Sequence, residues 1–339
     1  MGDGSPRIRP PSFYMGSTMK EIIDQVKESG RPIVASVSGG KDSTAMALWL
    51  KEQEMEKTNP IYWVFADTGW EHPELMEYIE TYLNEKVFDN KLHIVRSKKY
   101  PRGMPELVEK RGMFPSRKIR FCTQELKIFP IRDFIKATKE KHPDLEKPMN
   151  TVGIRAAEST ARSKMLEFEP GTMLDKSAKG AELCDTWRPL ITATIDDIID
   201  IHTRHGVRPC PLYLRDTLPA SRVGCWPCIM SRKTEIKAVA VTDPDRIAEI
   251  ARLEALVTEK ATQRYAEKGE TFQTLGYAEP SFFQAKDGTG ECWPIEKVVK
   301  WSKTVHGGSQ YELFIPANEE ERGCQMWGLC DLPDAPENT

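Results

Sequence analysis

The stretch Ile33-Val34-Ala35-Ser36-Val37-Ser38-Gly39-Gly40-Lys41-Asp42-Ser43 decides how this chain is read. Ile33 to Val37 is a short apolar run rich in β-branched residues, the mark of a buried strand. From Ser43 to Glu52, Ala45, Leu48 and Trp49 return at helical spacing. Between the two, paired glycines let the main chain come close to a phosphate, and successive N–H groups form an anion-binding nest. The helix that follows turns its positive dipole end to the same point, worth about 0.3–1 kcal/mol per favourable charge contact. Lys41 adds a full positive charge; Ser38 and Ser43 add hydroxyl donors. The long glycine-spaced loop of Walker A is missing and Asp42 follows the lysine, so this is a different phosphate grip. A tight strand-to-helix turn without a ligand competes with this reading, but Ser38 to Ser43 taken together favour phosphate.

Working outward, Lys20 to Glu28 carries Ile22, Ile23 and Val26 on one face and predicts a helix stopped at Gly30. Ile61 to Ala66 predicts a second buried strand ending at Asp67, and Pro73 starts a helix to about Glu85. Leu92 to Val95 and Thr151 to Ile154 predict further strands, with Lys127 to Lys139 helical between them. Strand and helix in alternation argue for an α/β fold with a doubly wound parallel sheet. In such sheets ligands sit beyond the carboxyl ends of the strands. The loops after Val37, Ala66 and Ile154 fall there. Further on, Ile195 to His205 and Pro244 to Tyr265 read as helices. Pro209 to Cys228 is rich in Pro, Gly and Cys, and Gly269 to Gly290 is loop-like. The expected organisation is a flexible lead-in over 1–17, a nucleotide-binding α/β domain over 18–240, and an irregular, partly helical, cysteine-bearing region over 241–339.

A formal net charge of −3 excludes a generally basic nucleic-acid coat. No apolar run is long enough for a bilayer and Met1 to Ser17 holds no signal-peptide core, so no membrane partner and a cytoplasmic location are expected. Charge is nonetheless uneven. Arg96, Lys98, Lys99, Arg102, Lys110, Arg111, Arg117, Lys118 and Arg120 stand against Glu106 and Glu109 alone. The segment 96–120 is either a solvated face or an anion-binding surface, with a nucleic-acid substrate as one partner it would suit.

The chain holds 8 cysteines, many for a reducing compartment, where metal binding, catalysis or burial must explain them. Cys225 and Cys228 in Cys-x-x-Cys spacing can chelate one metal, with Pro227 stiffening the turn. The basic neighbours Arg222, Arg232 and Lys233 are expected to favour thiolate. Cys324 and Cys330 form a second close pair that would complete a four-cysteine set. An iron-sulfur cluster, a structural zinc and a redox dithiol all fit this spacing. Cys184 and Cys292 have no partner spacing, and the role of Cys210 is open. The histidines lack metal-ligand spacing and none is assigned.

Ser38 to Ser43 resembles the signature of the PP-loop superfamily of ATP pyrophosphatases and adenine nucleotide α-hydrolase-like proteins. Within it the chain most resembles the 3′-phosphoadenylyl sulfate (PAPS) reductase family, in successive segments from Ile33 to Glu235. Asp67-Thr68-Gly69 falls where the family places an acidic residue near the nucleotide. Arg120-Phe121-Cys122-Thr123 with Lys127 and Pro130 is similar to its cysteine-then-Lys-x-x-Pro segment, which makes Cys122 a further candidate ligand. Gly153-Ile154-Arg155 with Glu158, Ser159 and Arg162 is similar to its Gly-Ile-Arg segment, which contacts phosphate or sulfate; by residue type alone, Glu158 and Arg162 read first as an internal ion pair that needs no ligand, and the resemblance turns the reading to anion contact. Val223-Gly224-Cys225-Trp226-Pro227-Cys228 resembles the Gly-Cys-x-Pro-Cys segment of cluster-bearing members. Two departures stand out. The reductases' C-terminal Glu-Cys-Gly-(Leu/Ile)-His tail is absent, the end reading Gly323-Cys324-Gln325-Met326-Trp327-Gly328-Leu329-Cys330, and Thr123 replaces the second cysteine of their Cys-Cys pair.

The resemblance therefore implies an enzyme close to the cluster-dependent sulfur-inserting relatives of tRNA thiolation and DNA phosphorothioation, and to reductase-like proteins of phages and mobile elements. It would use ATP or a related adenine nucleotide to adenylate a substrate, which sulfur from a donor or reductant protein then enters. Lys41, Asp42 and Asp67 are the expected catalytic residues, with Asp42 or Asp67 helping to hold Mg2+. Ser38, Gly39, Gly40, Ser43, Gly153, Arg155, Glu158 and Arg162 complete the nucleotide site. Cys122, Cys225, Cys228, Cys324 and Cys330 are the candidate ligands of a [4Fe-4S] cluster, with zinc as the alternative. A PAPS or adenylyl sulfate reductase with an atypical catalytic tail, and a non-catalytic nucleotide-binding module of a modification or defence complex, are the rival expectations.

Overall fold

In a computed structural model, the described residues are 18–175, 181–215, 218–284 and 292–304; the expected lead-in over 1–17 lies outside them. They form two compact units interleaved along the chain. One takes the chain up to Phe65, Leu83–Val95 and Ile131–Arg208; the other takes Ala66–Tyr82, Arg96–Pro130 and the chain from Pro209 onward. No helix among the described residues is long and apolar enough to cross a membrane.

The first unit is built on a six-stranded sheet of β1 (Ile33–Val37), β2 (Ile61–Ala66), β3 (Leu92–Val95), β4 (Met149–Val152), β5 (Phe168–Asp175) and β6 (Ala181–Trp187), in the order β3-β2-β1-β4-β6-β5. β1 lies inside, parallel to β2 with Ile33 opposite Ile61 and parallel to β4 with Ile33 opposite Met149. Its Ile-Val-Ala run is buried because helices cover both faces of a parallel sheet. Helix α1 (Met19–Ser29) starts on a capping box between Thr18 and Glu21 and stops at Gly30, whose left-handed φ of 60° suits glycine. Helix α2 (Lys41–Glu52) leaves β1 through the glycines, burying Ala45, Leu48 and Leu50. On the sheet, Val34, Val64, Ile135, Leu183 and Cys184 pack into one apolar cluster.

The sheet departs from the expected all-parallel pattern at one edge, where β5 runs antiparallel to β6. Pro170 and Gly171, the latter at φ 62°, break the alternation of β5, and its register shifts between Glu169 and Met173. β6 hides differently. Its Asp185 is buried mid-strand, held by Arg31 Nη2 at 2.7 Å and Lys147 Nζ at 2.8 Å. β4 begins at Met149, two residues before the predicted Thr151, and ends at Val152, two residues before Ile154.

The second unit gathers around Trp70, Leu107, Phe114, Val257, Phe282 and Ile295. Its longest helix, Pro244–Ala266, is capped by the Asp243 side chain, starts on proline and buries Ile250, Leu253, Val257 and Ala261 at helical spacing. From that helix Glu254 accepts the N–H groups of Phe282 and Ile295, at 2.8 and 2.9 Å, pinning the chain that follows. Two predicted helices differ in form. The one from Pro73 loosens into π turns over Tyr78–Leu83, and the one expected from Lys127 begins earlier, at Phe121, with π turns over Gln124–Ile128.

Candidate nucleotide and thiol sites

In the first unit the loop between β1 and α2 is held open by its own hydrogen bonds. Gly39 takes φ 69°, and Gly40 is the N-cap of α2 with no side chain capping it. The twelve-residue α2 thus starts without a side-chain cap, the kind of helix end at which an anion binds. The two loop hydroxyls are turned inward. Ser43 Oγ lies 3.0 Å from Ser38 Oγ, accepts the Ser38 N–H at 3.1 Å and donates to the Gly40 carbonyl at 3.0 Å. Ser43, buried, thus latches the loop. Lys41 is half-buried with Nζ 4.0 Å from Asp42 Oδ2.

The chain after β4 packs onto the same loop. A Cβ on Gly153 would meet the Asp42 carbonyl oxygen at 2.5 Å. Arg155, buried, puts Nε on Asp42 Oδ1, and its N–H donates to Glu158 Oε2 at 2.8 Å. Glu158 in turn pairs with Arg162, so the internal ion pair that residue type alone allowed does form. Ser38 to Ser43, Gly153 and Arg155 are brought together; Glu158 orients Arg155, and Arg162 stands one pair further out.

In the second unit, Asp67 is buried, accepting the Gly69 N–H at 2.7 Å and Arg96 Nε at 2.7 Å. Neither Asp42 nor Asp67 is turned to a cation, since each carboxylate is engaged by an arginine. With Arg155 on Asp42 and Arg96 on Asp67, these two carboxylates do not fit a carboxylate-held Mg2+.

The segment after Asp67 braces the Cys-x-x-Cys turn. Thr68 donates its hydroxyl to Glu71 Oε1 at 2.7 Å and lies 3.6 Å from Cys225 Sγ. Trp226 N–H donates to the Trp70 carbonyl at 2.7 Å, and the Trp70 indole donates to the Pro227 carbonyl at 3.0 Å. Cys122, Cys225 and Cys228 pack against the apolar cluster of this unit. Lys127 stands within electrostatic reach of all three: its ammonium is held above the usual range chiefly by Cys225, with Glu71, Cys228 and Cys122 adding to this against burial. Burial pushes the Cys225 thiol up to about 11, against the lowering pull of Lys127, and raises Cys122 as well. Cys225 is thus raised where a lowering by Arg222, Arg232 and Lys233 was expected. Arg222 and the Arg232 N–H face Glu235, and Lys233 Nζ donates to Thr304.

Cys122, Cys225 and Cys228 are soft donors of the type an iron-sulfur cluster or zinc takes, each within electrostatic reach of Lys127. Among the described residues no three histidine, cysteine or carboxylate groups close to coordination spacing. Cys324 and Cys330 lie outside the described residues. Cys184 and Cys210 are buried thiols pushed up to about 11 and about 12 by desolvation. Glu71 went unnoticed in the sequence because it belongs to no spaced motif, and Thr68 stood there only within Asp67-Thr68-Gly69; their place beside Cys225 appears only in the fold.

Part of the basic segment is engaged in ion pairs. Arg102 holds Glu109 at 3.1 Å, Lys110 holds Glu106 at 2.7 Å and Arg111 holds Glu125 at 2.6 Å. Lys98, Lys99, Arg117, Lys118 and Arg120 are exposed.

The sequence profile of the phosphoadenosine phosphosulfate reductase domain matches residues 32–231, from the start of β1 to just past the Cys-x-x-Cys turn. The chain belongs to this family. As a member of the phosphoadenosine phosphosulfate reductase family it is 30% identical over 343 residues to an uncharacterized 37.8 kDa protein of Escherichia phage 186, covering 88% of this chain and 96% of that one. It is 28% identical over 158 residues to a Methanocaldococcus jannaschii protein, covering 47% of this chain and 29% of the other. Among solved structures, it is similar to a Candida auris phosphoadenylyl-sulfate reductase in a phosphate complex, at TM-score 0.39 and 15% identity over 63% of this chain and 91% of that one. It is likewise similar to the U34-tRNA thiolase NcsA of Methanococcus maripaludis with its [4Fe-4S] cluster, at TM-score 0.37 and 16% identity over 74% of this chain and 80% of that one.

Proposed function

We propose that this chain is an ATP-dependent sulfurtransferase of the phosphoadenosine phosphosulfate reductase family. The observation that carries it is the uncapped N-terminus of α2 behind Gly39, Gly40 and Lys41, in a chain that also sets Cys122, Cys225 and Cys228 within electrostatic reach of Lys127. The loop amides and Lys41 bind the β- and γ-phosphates of ATP, and an acceptor oxygen attacks the α-phosphorus. The new O–P bond forms as the bond to the β-phosphate oxygen breaks, and pyrophosphate leaves with its charge held by the loop. A sulfur nucleophile from a donor or reductant protein then displaces AMP, forming carbon–sulfur and breaking carbon–oxygen. Cys122, Cys225 and Cys228 would hold an iron-sulfur cluster, which supplies an iron position for sulfur when bound. Lys127 would balance the charge of the thiolates that such a group holds. The exposed Lys98, Lys99, Arg117, Lys118 and Arg120 suit a nucleic-acid backbone as the acceptor's carrier. Pyrophosphate release from ATP, measured with and without RNA or DNA, tests this; release from neither, with ATP bound, overturns it.

Family membership favours a second reading, reduction of PAPS or adenylyl sulfate with Cys324 or Cys330 as the nucleophile on sulfate sulfur. Serine at each position separates the two: a reductase loses thiosulfonate formation while nucleotide binding survives.

A further inference from the structure

His202 lies on the buried side of the helix Ile195–Arg204, beside Ile198 and Ile201, and is 1% exposed. Both ring nitrogens face main-chain oxygens. Nδ1 stands 3.1 Å from the Val207 carbonyl and Nε2 stands 2.9 Å from the carbonyl of Lys41, 161 residues away. The Val207 contact is imposed by the turn that ends the helix. Gly206, at φ 61°, donates to the Thr203 carbonyl and Val207 N–H donates to the His202 carbonyl, both at 3.0 Å, so the chain folds Val207 back onto the ring.

The Lys41 contact has no such local cause. Burial keeps the ring below the usual histidine range, although the two carbonyls and Asp42 pull the other way. A neutral imidazole carries one N–H and can serve one of the two oxygens. Placed on Nε2, that proton serves the nearer oxygen, that of Lys41. Lys41 is the first residue of α2, the helix whose leading N–H groups face the proposed phosphates, and no side chain caps Gly40. Ser43 latches the loop from within, and His202 grips it from the neighbouring helix.

We propose that His202 is a positioning residue for the phosphate loop, fixing the first turn of α2 through the main-chain oxygen of Lys41. Its consequence for affinity rests on the ATP reading of that loop; its consequence for loop order does not.

The two amide replacements separate this role from packing. The Gln amide reaches the place of Nε2 and keeps a donor for Lys41, whereas the shorter Asn amide reaches the place of Nδ1 and serves Val207 alone. Hydrogen exchange of the amides over 40–45 and calorimetric ATP binding are compared in the full chain for wild type, His202→Gln and His202→Asn, with thermal unfolding alongside. Both variants are expected to melt lower, having lost the ring. His202→Asn is expected to exchange these amides about tenfold faster and to bind ATP about tenfold more weakly, the scale of one hydrogen bond, with His202→Gln within about twofold of wild type. Equal loop exchange in the two variants overturns the positioning role. Should wild type bind no ATP, the nucleotide reading falls, and the exchange comparison still decides the grip.

Discussion

A Cβ on Gly153 would stand 2.6 Å from the Cα of Ser43. The end of β4 and the first turn of α2 therefore touch main chain to main chain, which a glycine alone permits. Contact of this kind transmits strain directly, because backbone cannot rotate away as a side chain would. Gly153→Ala is expected to cost about 1–3 kcal/mol of stability, the range for overpacking, and to weaken ATP binding as the loop is displaced. Urea unfolding together with a nucleotide titration checks both. Unchanged stability would mean the contact yields freely.

That contact also marks what could be read from the chain alone. β1, the glycine loop and α2 were legible because their apolar residues follow the periods of strand and helix and their glycines sit at the junction. Gly153 was legible as a motif residue, but its work as a spacer depends on Asp42 and Ser43, more than a hundred positions earlier. β6 was not legible, since Asp185 looks like a surface residue until Arg31 and Lys147 are found beside it. The same holds at the thiols. Cys225 and Cys228 announce themselves by spacing, whereas Thr68 and Glu71 gain meaning only from a fold that sets them against Cys225. His202 shows the limit most plainly, as a polar residue on an apolar helix face whose partner is a carbonyl 161 residues away.

Asp42 and Arg155 form a buried ion pair, with side chains 13% and 6% exposed. Removing one partner leaves the other charge without compensation in a place water reaches poorly. Asp42→Ala and Arg155→Ala are each expected to destabilise the chain by about 3 kcal/mol, while the double variant loses clearly less than the sum. Denaturant midpoints for the four proteins close the cycle. Strict additivity would show that the pair does not act as one.

Asp185 gives the stability a signature in pH. Burial would raise its carboxyl, but the Lys147 hydrogen bond, the Arg31 charge and the Gly171 N–H overcome this and hold it below its ordinary value. A carboxyl depressed in the folded state contributes fully above its unfolded value, about 3.9, and that contribution disappears as pH falls through the folded value. Wild type is therefore expected to exceed Asp185→Asn in stability at neutral pH, with the gap closing below about pH 4. Urea unfolding of both proteins across this range isolates Asp185 from other carboxylates, which are common to the two. A gap that stays constant to low pH would deny Asp185 its depressed carboxyl.

The thiols make the last and most direct test. Cys122, Cys225 and Cys228 share Lys127, whereas Cys184 is buried at the sheet among Val34, Val64 and Leu183. If the three hold a cluster, protein purified without oxygen is brown and carries about four irons and four sulfides. Serine at Cys122, Cys225 or Cys228 is expected to remove most of that iron, because an alcohol is a poor soft ligand. Cys184→Ser is expected to keep the iron and lose stability, as a hydroxyl enters an apolar cluster. Stoichiometric zinc in the wild type, lost in the same three variants, would leave the ligand assignment standing and make the metal structural. Iron kept in all three would move the site away from these residues altogether.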